Sequence, residues 1–352
     1  MVEKMKNNGY NPAVENCYFC SGRNLKPHSK ATYWKEYDLN FVECSDCGLV
    51  FANPMPGIEM VKEGNRALNI HHVSRGTLSQ YRGGKEFSIF LRSIKPEGIM
   101  LDIGCAEGFF LLGVEENSHL PDGLSAEAAA QAGKTGWKAE GVEIIKSAVE
   151  FANERLGLKV HLGTLDTLEN RSERYDFIRM NNVIEHVQNP AKFLQITNKL
   201  LKKGGRVYCS TPNGFQDGYV LKTANKHGIK VNLLENHFFY YDPKTLTEIF
   251  EACGFKVQKA YCEDISHSLN NFGLLPWFRY SRKTYNLSLS FFKDRTNEEF
   301  NISNEEIKSF KNDPSLKLWR LKFNSYKKKL FQIRFPAFLP IGHQQHLFAE
   351  KI

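Results

Sequence analysis

Long hydrophobic runs are missing from this sequence: no apolar stretch approaches the roughly 20 residues that a membrane-spanning helix requires. The N-terminal residues carry charge but no apolar segment of the kind that a signal peptide contains. The composition, 41% hydrophobic and 24% charged over 352 residues, is typical of a globular protein whose core needs no disulfides. We therefore expect a soluble, cytoplasmic protein with one large domain and additions, or with two domains.

Cysteine is sparse outside one short N-terminal segment. Four of the eight cysteines form two Cys-x-x-Cys pairs in that segment. The other four stand alone in apolar contexts, and we expect them to be small buried hydrophobic side chains. These isolated cysteines are Cys105, Cys209, Cys253 and Cys262.

The two Cys-x-x-Cys pairs predict a metal site. The candidate ligands are Cys17, Cys20, Cys44 and Cys47, with 23 residues between the two pairs. Four thiolates suit the tetrahedral coordination that zinc prefers, and Gly22 and Gly48 suit the tight turn after each pair. Four cysteine ligands leave no open position, so we predict a structural zinc ion. A redox-active pair is the alternative.

Strand-like and helix-like patterns alternate from residue 98 onward, and no internal repeat interrupts them. Predicted strands cover residues 99–103, 139–143, 160–163, 177–180 and 206–210, with two further strands at 255–262 and 345–350. Helical periodicity separates several of the strands, as in residues 145–156 and 190–201. This alternation predicts βαβ units and a mostly parallel sheet.

A glycine-rich turn follows the first of these strands. Asp102 ends the strand, and Gly104 and Gly108 bound a tight loop before a helix. Such a loop brings a ligand to the carboxyl edge of the sheet, beside a helix N-terminus. Ala106 breaks the Gly-x-Gly-x-x-Gly pattern of dinucleotide-binding proteins. An acid at the turn favours a cationic amino-acid ligand instead.

The Asp-x-Gly-x-x-x-Gly string resembles motif I of class I S-adenosylmethionine-dependent methyltransferases. A second strand ending in the acid Glu143 follows, and then a third strand ending in Gly-Thr-Leu-Asp. The later strings Val-Ile-Glu-His-Val, Asn-Pro and Leu-Leu-Lys-Lys-Gly-Gly begin at residues 183, 189 and 200. Together they are similar to the family that includes the ubiquinone-pathway O-methyltransferases and the sugar methyltransferases, over about residues 98–262.

This resemblance implies a Rossmann-like, mostly parallel seven-stranded sheet with helices on both faces, and S-adenosylmethionine as cofactor. Glu143 would accept the ribose hydroxyls, and the loop after the third strand would meet the adenine. In that loop Asp166 is alternatively a helix N-cap. The implied cofactor-binding residues are Asp102, Gly104, Cys105, Gly108, Glu143, Leu165 and Asn181. The long spacing from Gly108 to Glu143 predicts an insertion at about residues 119–136.

A hydroxyl acceptor requires a base, and two histidines are candidates. His237 lies in a segment resembling the one in which sugar methyltransferases place a histidine, with aromatic neighbours forming a wall for the sugar ring, and it is our preferred base. His186, at the end of the fourth strand, is the second candidate, and Tyr240 would position the hydroxyl. Each histidine has a purely structural alternative. Asn182 replaces a carboxylate that some relatives use for a divalent metal, so we do not expect that metal at Glu185.

The predicted organisation has five parts: a zinc knuckle at 1–56, a helical linker or cap at 57–97, the cofactor-binding core at 98–262, a basic helical insert or lid at 263–340, and the final core strand at 341–352. The net charge is +8, and the insert contributes most of it with 14 Lys and Arg against 8 Asp and Glu. That excess indicates either a solvated helical face or a surface for an anionic substrate.

The resemblance, including that of residues 44–51 to the zinc module preceding many sugar methyltransferases, implies methylation of a hydroxyl on a sugar, a nucleotide-linked sugar or a related small molecule. C-methylation of a keto sugar is the first alternative. An RNA methyltransferase using the zinc ribbon and basic insert is the second, disfavoured by the lack of an Asn-Pro-Pro-Tyr-like tetrad. A cofactor-binding protein without catalysis is the third. The sequence does not predict the acceptor itself or the oligomeric state.

Overall fold

The protein is described by a computed structural model that covers residues 9–33, 37–118, 136–233, 237–263, 335–336 and 342–352. Its strands are β1 (Leu25–Tyr33), β2 (Tyr37–Cys44), β3 (Val50–Ala52), β4 (Gly98–Ile103), β5 (Trp137–Glu143), β6 (Lys159–Leu162), β7 (Tyr175–Asn181), β8 (Leu201–Pro212), β9 (Asn232–Leu233), β10 (Phe239–Tyr240), β11 (Phe255–Glu263), β12 (Phe335–Pro336) and β13 (Gln344–Lys351). Its α-helices are α1 (Ile58–Ile94), α2 (Phe109–Ser118), α3 (Lys146–Glu150), α4 (Pro190–Leu200), α5 (Gly214–Lys226) and α6 (Pro243–Ala252).

The larger sheet has the strand order β12-β11-β13-β8-β7-β4-β5-β6. The neighbours from β8 to β6 are parallel, whereas β13 runs antiparallel to both β8 and β11. The predicted seven-stranded, mostly parallel sheet is thus confirmed, with the two-residue β12 added at its edge. From β4 the chain continues to β5 and β6 on one side, and it then crosses back to β7 on the other side of β4. The order therefore reverses at β4 and β7, where ligands bind in open α/β sheets.

Apolar side chains on the central strands are buried on both faces, as expected of strands covered by helices. Met100 packs in a cluster with Tyr81 and Phe109, on the side of α1 and α2. Its neighbour Leu101 packs in a second cluster with Leu194 of α4. Alternation along β4 thus divides the core between the two faces of the sheet.

The contact between α1 and α2 depends on two glycines. A Cβ atom on Gly84 would lie 2.0 Å from the Phe110 carbonyl oxygen, and one on Gly113 would lie 2.1 Å from the Tyr81 carbonyl oxygen. Only a residue without a side chain allows the two backbones to approach this closely. The loosely patterned segment before the core therefore forms a single helix that packs directly on α2.

The smaller sheet has the order β10-β3-β2-β1-β9. Its three inner strands come from the N-terminal segment, whereas β9 and β10 follow α5 in the sequence. Phe51 pairs with Phe239, and Thr32 pairs with Asn232. The N-terminal sheet is therefore completed by segments that lie within the predicted core. The five predicted domain boundaries remain predictions.

The described helices include none that is both long and apolar enough to cross a membrane. Residues 119–135, where we expected an insertion, lie outside the described part of the chain. So does nearly all of the predicted basic insert at 263–340, apart from Glu263 and β12.

Candidate functional site

The glycine-rich loop connects β4 to α2 at the carboxyl edge of the sheet. Gly104 has φ of +69° and Gly108 has φ of +81°, a backbone region that favours glycine. A Cβ on Gly104 would lie 2.8 Å from a methyl group of Val183, and one on Gly108 would lie 2.7 Å from a methyl group of Leu158. Both predicted glycines are thus required by backbone conformation and by close contacts. The contact with Val183 places the loop beside the segment that follows β7.

Asp102 is buried and forms an ion pair with Arg179, whose Nη1 lies 2.7 Å from Oδ1. Burial raises the pKa of Asp102, and the charge of Arg179 opposes that rise. The other carboxylate oxygen, Oδ2, is buried and has no hydrogen-bond partner in the structure. Sequence reasoning missed Arg179, although a basic residue among the apolar residues at 177–180 of β7 was a signal. The β4–β7 register places it directly opposite Asp102.

Glu143 ends β5 and holds the loop in place. Its Oε2 accepts a hydrogen bond from the Ala106 N–H at 3.0 Å, and its Oε1 accepts from the N–H groups of Ile144 and Ile145 at 2.7 and 3.1 Å. Burial raises the pKa of Glu143, while these donors favour the ionised form. Three of the four lone-pair sites of the carboxylate are therefore used, which leaves one on Oε2 for a ribose hydroxyl, and ribose binding by Glu143 remains a prediction.

A third acid, Glu107, lies inside the loop and was also missed. It is only 6% exposed, and burial, with a contribution from the charge of Glu143, raises its pKa to about 7. Cys105 is buried in the same loop, where burial and the charges of Glu143, Asp102 and Glu107 raise the pKa of its thiol well above the usual value. Three carboxyl groups around one loop favour a ligand that carries positive charge.

The remaining predicted cofactor residues, Leu165 and Asn181, lie after β6 and at the end of β7. Leu165 is buried in a 3-10 turn after β6, and Asn181 at the end of β7 accepts a hydrogen bond from the Ser210 hydroxyl at 2.6 Å. Thr164, not Asp166, is the N-cap residue of the 3-10 turn. Asp166 instead forms an ion pair with Lys192 at 2.7 Å, which lowers the pKa of its carboxyl.

Beside the loop, the two candidate histidines lie together. His186 belongs to the 3-10 turn Ile184–His186 after β7, and its ring centroid lies 5.0 Å from that of His237. Glu185 is buried, with Oε1 3.9 Å from Nε2 of His186. Donor atoms of these three residues all lie within 4.8 Å of one another. Such nitrogen and oxygen donors also suit a divalent transition metal.

Burial lowers the pKa of His237 to about 4, because the charged imidazolium loses solvation. The charge of Asp217 opposes this effect and that of His343 adds to it. Asp217 and His343 themselves lie 3.4 Å apart, and sequence reasoning missed both. His237 is therefore neutral near pH 7, and it binds a proton more weakly than an exposed imidazole does. Asn182 is directed elsewhere, since its side-chain oxygen accepts a hydrogen bond from Gln344 at 2.8 Å.

The aromatic residues after His237 do not form the predicted wall for a sugar ring, and that prediction was wrong. Phe238, Phe239, Tyr240 and Tyr241 are all buried. The Tyr240 ring packs 5.2 Å from Phe41 in the smaller sheet, and the Tyr241 hydroxyl donates to the Ile184 carbonyl at 3.1 Å. Pairing of β10 with β3 explains the difference, because it packs the rings of Phe238, Phe239 and Tyr240 against aromatic residues of the smaller sheet. A hydroxyl-positioning role for Tyr240 remains a prediction.

The four N-terminal cysteines lie together in a geometry suited to zinc. The Sγ atoms of Cys17 and Cys47 lie 3.6 Å apart and those of Cys20 and Cys44 lie 3.5 Å apart, with all four within 4.8 Å. Tetrahedral zinc with Zn–S bonds of about 2.3 Å requires Sγ–Sγ distances of about 3.8 Å. Burial raises the pKa of Cys17 to about 11, so a cation is needed to favour its thiolate. The cysteines therefore fit a closed structural zinc site.

The profile of the family described as "Methyltransferase domain" matches residues 80–260. The chain belongs to this methyltransferase family. The Ubiquinone biosynthesis O-methyltransferase of Dinoroseobacter shibae is 31% identical to this chain over 194 residues. The aligned region covers 53% of this chain and 70% of the Dinoroseobacter protein. An uncharacterized protein of Methanocaldococcus jannaschii is 27% identical to this chain over 145 residues, which cover 40% of this chain and 69% of that protein.

Other curated relatives of this methyltransferase are matched over a smaller share. The Ubiquinone biosynthesis O-methyltransferase of Parvibaculum lavamentivorans is 29% identical over 151 residues, and the chain spans 54% of its length. Among solved structures, a possible histamine N-methyltransferase from Thermotoga maritima has 16% identity and a TM-score of 0.43, covering 84% of this chain and 97% of that one. The predicted class, that of S-adenosylmethionine-dependent methyltransferases, is confirmed by the family match.

The residues around the glycine-rich loop fit S-adenosylmethionine. The cofactor carries a sulfonium and an ammonium group, and the loop is surrounded by Asp102, Glu107 and Glu143. The buried Oδ2 of Asp102 offers an acceptor for an N–H donor, and Gly104 leaves room that a side chain would occupy. These residues would hold the cofactor at the edge where β4 and β7 diverge.

Proposed function

We propose that this methyltransferase transfers the methyl group of S-adenosylmethionine to a hydroxyl of a sugar, a nucleotide-linked sugar or a related polar small molecule. One observation carries the proposal: the rings of His186 and His237 lie 5.0 Å apart beside the glycine-rich loop. The contact between Gly104 and Val183 links that loop to the turn bearing His186. A hydroxyl acceptor needs a base at such a position, and the two imidazoles supply one.

The bound cofactor supplies an activated methyl group, whose transfer leaves a neutral thioether. The chain must align the acceptor oxygen with the methyl group and remove the hydroxyl proton. His237 is our preferred base because it lies in the segment that resembles the histidine-bearing segment of sugar methyltransferases, and it would receive the proton on a ring nitrogen as the new C–O bond forms. His186 is the second candidate. Buried Glu185 beside His186 stabilises positive charge that develops on the imidazole pair.

The test is a reaction of the purified protein with S-adenosylmethionine and a panel of nucleotide sugars, analysed by mass spectrometry for gain of one methyl group. We expect His237→Asn to lower the rate about 10²- to 10⁴-fold, as loss of a general base does, with cofactor affinity retained in calorimetry. The exposed His227→Asn serves as the matched control.

Two outcomes would contradict the proposal. Full activity in both His237→Asn and His186→Asn would exclude either imidazole as the base. Methylation of RNA, with none of the sugar panel methylated, would instead favour the nucleic-acid alternative.

A further inference from the structure

The segment that carries His237 is attached to the zinc knuckle, by which we mean the four cysteines with β1, β2 and β3. The Ala52 N–H donates to the Phe238 carbonyl at 2.9 Å, and Phe51 pairs with Phe239 in the antiparallel ladder. The ring of Tyr18, which lies between the first two cysteines, makes edge contacts with Phe51 and Phe239 at 5.2 and 5.5 Å. Backbone and aromatic contacts therefore both join the knuckle to this segment.

Phe238 joins the knuckle to the second histidine as well. Its N–H donates to the Glu185 carbonyl at 2.9 Å, within the turn that bears His186, while its own carbonyl accepts from Ala52. Phe238 is also buried, with its ring 5.9 Å from that of Tyr33 in β1. One residue next to His237 is thus hydrogen-bonded to the His186 turn on one side and to β3 on the other.

A third connection runs through α6. The Thr245 hydroxyl, which is buried, donates to the carbonyl of the zinc ligand Cys47 at 3.1 Å. Asp242, two residues after the end of β10, accepts from the Thr245 N–H at 2.7 Å and caps the same helix. The second cysteine pair is therefore held against the helix that ends the His237 segment.

We infer that the zinc knuckle is a positioning element of the acceptor site: with its metal bound, it sets the separation of the His186 and His237 rings through Phe238. The β3–β10 pairing is only two residues long, so the position of β10 depends on how firmly β3 is held in the smaller sheet. Four thiolates bound to one ion supply that support by fixing the turn from which β3 begins. The consequence for methyl transfer rests on the proposed role of the two histidines.

The cofactor loop, by contrast, is held by different contacts. Gly104 donates its N–H to the Val142 carbonyl at 2.9 Å, and Glu143 accepts from Ala106. Both contacts join the loop to β5, on the far side of β4 from β7. Loss of zinc is therefore expected to change the environment of the histidines while cofactor affinity stays nearly constant.

The experiment uses the full-length protein with ¹³C-labelled histidine and measures the NMR titration curves of His186 and His237, assigned by single substitutions. Two matched variants of α6 are compared. Thr245→Val removes the hydroxyl that contacts Cys47, whereas Thr247→Val removes a hydroxyl that donates to the Pro243 carbonyl within the helix. Zinc retention and S-adenosylmethionine affinity are measured for both variants and for protein treated with chelator.

We expect Thr245→Val to weaken zinc retention about three-fold to ten-fold, the effect of one lost hydrogen bond, and to shift both histidine titrations. Thr247→Val should match the unsubstituted protein, and chelation should shift the histidines further without a matching loss of cofactor affinity. Unchanged titration curves in folded, zinc-free protein would overturn the inference. So would identical behaviour of the two threonine variants, a comparison that remains valid if chelation unfolds the chain.

Failure of the proposed function has a different signature. If neither histidine is the base, substitution of His186 and His237 leaves methyl transfer intact, yet the titrations still respond to zinc. If the knuckle does not position them, the substitutions abolish transfer while the titrations ignore zinc.

Discussion

Replacing Glu107 with glutamine should stabilise the protein at pH 8 and have little effect at pH 5. Burial raises the pKa of this carboxyl from 4.5 to about 7, so the folded protein retains a proton that the unfolded chain releases. The contribution of Glu107 to the free energy of unfolding is therefore fully present below about pH 4.5. It is lost as the pH rises to about 7, where the buried carboxyl must ionise in the folded protein. At about 1.4 kcal/mol per pH unit, the interval corresponds to about 3 kcal/mol of unfolding free energy. Glutamine keeps the shape of the side chain but has no charge to bury.

The assay is urea unfolding of the cofactor-free protein at pH 5 and at pH 8. We expect the midpoint of Glu107→Gln to exceed that of the unsubstituted protein at pH 8 only. Glu154→Gln, at an exposed position, controls for the loss of one surface charge. Equal effects of Glu107→Gln at both pH values, or lower stability of this variant at pH 8, would refute the reasoning, because either result means that ionised Glu107 is not strained by burial.

Three further predictions concern the Asp102–Arg179 ion pair, the cofactor loop and the zinc site. Arg179→Met should lower the free energy of unfolding, measured with denaturant, by about 3–5 kcal/mol, because it leaves the buried Asp102 carboxylate without its cation. A loss below about 1 kcal/mol would mean that water solvates Asp102. In calorimetry, Gly104→Val should abolish S-adenosylmethionine binding and Glu143→Ala should weaken it, whereas tight NAD binding instead would contradict the cofactor assignment. Elemental analysis should find one zinc per chain, and Cys17→Ser/Cys44→Ser should lower the melting temperature; an unchanged melting temperature would argue against a stabilising metal.

Hydrophobic periodicity was sufficient to predict the larger sheet. Each of its seven main strands was expected within a few residues of where it lies; the strand expected at 255–262, for example, is Phe255–Glu263. The largest difference is β8, expected at 206–210 but extending over Leu201–Pro212. Gly204, with φ of +71°, lies in the part that was missed, where two glycines conceal a strand that begins directly after α4.

The smaller sheet could not be predicted in the same way. β9 and β10 contain two residues each and have no periodicity of their own. Their pairing partners are distant in the sequence, so no local pattern predicts the pairing. We therefore expected the aromatic residues after His237 beside the acceptor, whereas the structure buries them against β3. Cross-strand register also determines contacts such as Asp102–Arg179, and tertiary packing determines Asp217–His343. The arginine in β7 was a local signal for one partner of the first contact, but a local pattern does not identify the other partner of either contact.

The pairing of β3 with β10 has a consequence for the order in which the chain folds. Residues 50–52 leave the ribosome early, but their partners at 239–240 follow only after most of the larger sheet has been synthesised. Contacts so distant in sequence form late, since closing a long loop costs entropy before any contact repays it. A nascent chain that ends before residue 239 therefore presents β3 as an open edge, with the buried ring of Phe51 exposed to other chains.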